Sequence, residues 1–85
     1  MNPEDINKFV EDFAYELGGE FNVTANGVPR IIMKGREMKI SLVYVAKSNV
    51  WKAFFPFPSA EQERKYFENS EQLVQFLLEK GCEID

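Results

Sequence analysis

Between Glu20 and Phe57 apolar side chains recur at every second position, and on either side of that stretch they recur at helical spacing. A period of two sends alternate residues to opposite faces of a strand, whereas a period of about 3.6 gathers them on one stripe of a helix. The expected fold is therefore α+β: an N-terminal helix, a four- or five-stranded antiparallel meander sheet and a C-terminal helix, with both helices on one sheet face. At 85 residues the chain allows one domain, 1–85, and a 45% hydrophobic share beside 28% charged residues suits a folded unit with little stability in reserve.

Residues 2–17 carry the first helical pattern. Asn2 is placed to cap it, Pro3 suits the first helical position, and Glu4 with Asp5 sets negative charge at the positive end of the helix dipole. Gly18 and Gly19 stop it. At about 100° per residue, Ile6, Phe9, Val10, Phe13 and Leu17 gather on the side to be buried, and Glu4, Lys8, Glu11, Asp12 and Tyr15 gather on the other.

Turn signals at Asn26-Gly27, Gly35-Arg36 and Ser48-Asn49 cut the alternating stretch into strands near 20–25, 28–34, 37–46 and 50–57. Along the last three, Ile31, Met33, Met38, Ile40, Leu42, Tyr44, Ala46, Trp51, Ala53, Phe55 and Phe57 share a face, which is assigned to the core. The opposite face then holds Arg30, Ile32, Lys34, Lys39, Ser41, Val43, Val45, Lys47, Val50, Lys52 and Phe54. The first strand's register stays open: a two-residue loop at Asn26-Gly27 puts Phe21 and Val23 on the basic side, and a three-residue loop with a bulge returns them to the core.

Pro56 and Pro58 end the fourth strand, since neither donates to a sheet ladder. From Ser59 to Glu68 two readings compete. Ser59-Ala60-Glu61-Gln62 resembles a capping box, while Lys65-Tyr66-Phe67 suits a short fifth strand, which is favoured here. Asn69 or Ser70 caps a second helix that runs to Lys80, faces the core with Leu73, Phe76 and Leu77, and stops at Gly81.

The net charge of −4 hides a segregation. Residues 1–20 carry six acids against one base, residues 21–58 six bases against one acid, and residues 59–85 seven acids against three bases. The sheet is thus basic and the helices acidic, so the folded molecule should be two-sided. The bland reading of the basic face is the solvated side of an antiparallel sheet, with lysines that discourage edge pairing. Ile32, Val43, Val45, Val50 and Phe54 on that same face argue for a cover: a partner, one of the chain's own terminal segments, or a twin subunit in a weak, salt-strengthened homodimer.

Composition narrows the chemistry. With no histidine and only Cys82, a cysteine zinc cluster, an intrachain disulfide and a His-activated nucleophile are ruled out, and no metal or cofactor is expected. Cys82 is read as a small hydrophobe packing back toward Leu77. The carboxylate pairs, such as Glu11-Asp12, lie on expected exposed faces, whereas acid/base catalysis needs a desolvated cleft, so the chain is expected not to be an enzyme. No apolar run approaches the roughly 20 residues of a membrane span, and the acidic start Met1-Asn2-Pro3-Glu4-Asp5 is unlike a secretory signal, so a cytoplasmic address and no membrane partner are expected. In Trp51-Lys52-Ala53-Phe54-Phe55-Pro56-Phe57-Pro58, alternation turns only Lys52 and Phe54 outward, where they suit nucleic-acid contact.

The order helix, meander, helix resembles the double-stranded-RNA-binding domain. The second helix, however, opens with Ser70-Glu71-Gln72 where that family presents a basic cluster, so its function is not carried over. In size, acidity and lack of catalytic groups the chain is also similar to small phage inhibitors such as anti-restriction and anti-CRISPR proteins. The leading functional expectation is a non-enzymatic protein that binds and modulates another, cationic, nucleic-acid-handling protein. It would do so through Glu4, Glu11, Asp12 and Glu16, whose carboxylates approximate phosphates, together with the interface-suited ring of Tyr15. The alternative is direct nucleic-acid binding through Arg30, Lys34, Lys39, Lys52 and Phe54 on the open sheet.

Overall fold

The computed structural model describes residues 2–84. Helix α1 spans Pro3–Leu17. The Asn2 side chain accepts from the Asp5 N–H at 2.9 Å, and Gly18, at φ 74°, closes the other end in the left-handed conformation. Gly19 then passes so close to the sheet that a Cβ there would lie 2.6 Å from Met33 Sδ and 2.7 Å from Ile31 Cγ2.

Five strands follow: β1 (Glu20–Val23), β2 (Pro29–Lys34), β3 (Lys39–Val45), β4 (Val50–Phe57) and β5 (Glu63–Phe67), paired antiparallel in chain order. They form the expected meander in its five-stranded version. Helix α2 spans Ser70–Glu79, and the Asn69 side chain accepts from the Gln72 N–H at 2.9 Å. Ser59 does not open a helix. Its hydroxyl accepts from the Glu61 N–H at 3.1 Å in a turn that leads into β5.

The register of β1 follows the loop chemistry. The Thr24 N–H donates to the Val28 carbonyl and Gly27 takes φ 83°, leaving three loop residues, and Phe21 pairs with Ile31 on the core side. One core joins both helices to one sheet face: Val10, Ala14 and Leu17 from α1, Leu73, Phe76 and Leu77 from α2, and Ile31, Met33, Ile40, Leu42, Trp51, Ala53, Phe55 and Phe67 from the strands. Burying each large member is worth about 1.5–3 kcal/mol. Phe9, Phe13 and Tyr44 pack around Trp51 with ring centroids 4.9–6.0 Å from its own, and Phe76 lies about 5 Å from both Phe55 and Phe67.

Phe57 departs from the expected core set. Ser41 pairs with Phe54, yet Lys39 pairs with Phe57, so one extra residue of β4 is accommodated between the two pairs. Such a bulge reverses the alternation beyond it, and Phe57 emerges on the opposite face with Phe54 and Lys39.

Candidate functional site

The face turned away from the helices is built by cross-strand rows. One row reads Asn22, Arg30, Val43, Lys52 and Tyr66 from β1 to β5, and the next reads Glu20, Ile32, Ser41, Phe54 and Arg64. A third joins Lys34, Lys39 and Phe57. Five cations therefore share the ladder with a single carboxylate, Glu20. Among the described residues neither end of the chain crosses this face: α1 packs on the core side, and Cys82 and Ile84 pack into the core after α2.

The cations lie against the rings. The Arg30 guanidinium is 5.0 Å from the Phe57 centroid, and its Nε donates to Asn22 Oδ1 at 2.6 Å. Lys52 Nζ lies 5.0 Å from the Phe54 centroid and 5.5 Å from that of Tyr66, and the Arg64 guanidinium also approaches Phe54, at 5.8 Å. At such exposed sites each contact is worth about 0.5–1 kcal/mol, enough to hold the long side chains near the rings and too little to lock them there. Ser41, between Ile32 and Phe54 at the centre of the face, is only 3% exposed, so its neighbours close over the backbone. Ile32, Val43, Val45 and Val50 are half-buried, which leaves less bare apolar surface than their number implied.

The structure thus brings Arg30, Lys34, Lys39, Lys52 and Phe54 onto one face and adds Phe57, Arg64 and Tyr66, which the sequence reading missed. The bulge brings Phe57; a proline inside an alternating run is its sequence signal, because strand prolines concentrate at edges and bulges. Arg64 and Tyr66 follow from β5 pairing with β4, where Lys65 faces the other way.

On α1, Glu4, Glu11, Asp12, Tyr15 and Glu16 are all exposed along the outer surface, with Tyr15 at 88%. Lys8 lies among them and binds Asp12 at 3.0 Å, and this hydrogen bond and charge raise the lysine pKa above its ordinary value. The helix face is therefore acidic but partly neutralised, and a shallow depression lined by Tyr15, Glu16, Gly18 and Gly19 lies at its C-terminal end.

Every described Asp and Glu is exposed. No described helix is long and apolar enough to cross a membrane. Comparison with protein families, with curated proteins and with solved structures finds no match to this chain.

Proposed function

We propose that the protein is a non-enzymatic binding protein and that the open face of its sheet takes nucleic acid. The observation that carries this reading is the interleaving of five cations with Phe54, Phe57 and Tyr66 on a face crossed by neither helix. Phosphate contacts supply most of the affinity in such interfaces, and aromatic rings hold bases. The net charge of −4 opposes binding, but the acids of α1 point outward from a helix about 10 Å thick on the far side of the sheet. With a Debye length of about 8 Å at physiological salt, their repulsion is screened over more than one such length, whereas Arg30 and Lys52 act in contact.

Anisotropy titrations with labelled single- and double-stranded DNA and RNA at about 50 mM salt test the proposal. Binding that weakens as salt rises, and is lost when Lys39 and Lys52 are both changed to Glu, is expected. Absence of binding to all four nucleic acids overturns it.

A second reading rests on Tyr15, whose ring stands almost wholly in water amid Glu4, Glu11, Asp12 and Glu16. Tyrosine is favoured at protein interfaces, and an acidic helix can occupy a channel built for phosphates. On this reading the protein modulates a cationic nucleic-acid-handling partner, as a small phage inhibitor would. Partner binding that persists after all four acids are made neutral eliminates it.

A further inference from the structure

We infer that the nucleic acid taken by the open face is single-stranded, with bases stacked on Phe57, Phe54 and Tyr66. The inference rests on the nucleic-acid reading above and goes beyond it. In a duplex both faces of every base are already covered by neighbouring pairs, so rings projecting from a sheet find only edges and phosphates. A single strand can splay its bases and offer a free π-face to each ring.

The placement of the rings favours such a strand. Tyr66 on the β5 edge is 57% exposed and lies diagonally across the ladder from Phe54, with Lys52 between them; Phe57 stands on the same face at the Lys39 row. The span from Arg30 on β2 to Tyr66 on β5 is three strand spacings, about 14 Å, which suits the two or three bases that sheet platforms commonly stack. Base stacking is stronger than an exposed cation–π contact, so an arriving base displaces the cation from its ring. Arg30, Lys52 and Arg64 are then left within side-chain reach of the phosphates that flank the stacked bases.

The same face offers little with which to read base edges. Ser41 is covered, and Asn22 Oδ1 is engaged by Arg30. Binding should accordingly tolerate sequence, since recognition by stacking and phosphate contact carries no hydrogen-bond code.

The test uses the full chain with labelled 12-nucleotide dT and rU strands, a duplex of equal length, and a poly-glutamate peptide as an anion without bases. The single strands should bind at least tenfold more tightly than the duplex or the peptide. Tyr66→Ala and Phe57→Leu should each weaken single-strand binding about fivefold or more, with the salt dependence kept, because the phosphate contacts remain. Tyr66 is on an exposed edge strand, so its removal leaves the core intact, and an unchanged far-UV spectrum and melting curve verifies that. Equal affinity for duplex or poly-glutamate, or a Tyr66→Ala protein that binds single strands within twofold of the original, overturns single-strand stacking while leaving the basic face as an anion site. No binding by any nucleic acid overturns both readings together.

Discussion

The main-chain N–H of Arg36, in the turn between β2 and β3, donates to the carbonyl oxygen of Lys80 at the end of α2, at 2.9 Å. Gly81 makes this approach feasible: it takes φ 86°, and a Cβ there would lie 2.7 Å from Arg36 Cβ and 3.0 Å from Arg36 N. Gly81→Ala meets both obstacles. It is expected to cost at least about 1–2 kcal/mol, the penalty for an L-residue in the left-handed region, and to lower Tm by roughly 4–8 °C per kcal/mol. Urea unfolding followed by Trp51 fluorescence measures this directly.

The two helices start alike, with an asparagine oxygen accepting from the N–H three residues on, Asn2 to Asp5 and Asn69 to Gln72, each at 2.9 Å. Replacing either by Ala should cost about 0.5–2 kcal/mol, and replacing either by Asp should cost far less, because Asp keeps the acceptor and favours the helix dipole. The caps share no partner, so the double variant should show the sum of the two losses in denaturant melts.

Burial raises the Cys82 thiol pKa above its ordinary value. The folded chain therefore holds its proton at pH values where the unfolded chain has released it. The contribution to stability is complete below the unfolded thiol's pKa of about 8.5 and is lost as pH rises from there through the higher native value. The stability difference between the original protein and Cys82→Ala should be constant from pH 6 to 8 and shrink above that. The native thiol should also react with disulfide reagents far more slowly than the unfolded one.

Most of the architecture was legible because local signals agreed with the global fold. Asn2, Pro3 and Gly18 bound a helix whose expected stripe holds the buried Val10 and Leu17, although Phe9 on that stripe stays 39% exposed, and alternation from Ile31 to Phe55 supplies most of the strands' share of the core. Strict alternation failed at Phe57. A count by two has no term for a bulge, and the reversed residue is the ring that meets Arg30. Ser59 left two readings open for a related reason, and the favoured strand is the one that forms: its hydroxyl makes a local bond in a turn much as it would at a helix cap, and only the downstream pairing of β5 with β4 distinguishes them. The helix-face residues Glu4, Glu11, Asp12, Tyr15 and Glu16 were legible as exposed, with Lys8 among them at the i,i+4 spacing from Asp12 at which the ion pair forms.

Self-association and nucleic-acid binding on the open face should respond to salt in opposite directions. Val45 and Val50 form one cross-strand pair there, Val43 stands in the next row and Ile32 in the row beyond it, all half-buried. At about 25 cal/mol for each Å² of apolar surface removed from water, their residual exposure favours pairing weakly. Lys34, Lys39 and Lys52 on one copy would face their counterparts on a twin, and this repulsion outweighs the apolar gain until salt shortens the Debye length to about 3 Å at 1 M. Sedimentation should therefore show a monomer at low salt and growing dimer at high salt, with Lys39→Ser shifting the onset downward. A strand bound at low salt neutralises the same lysines but covers the same face, so its complex should sediment as one protein per short strand. A dimer that is strongest at low salt would place the interface elsewhere, with the acidic α1 of one copy against the basic sheet of the next.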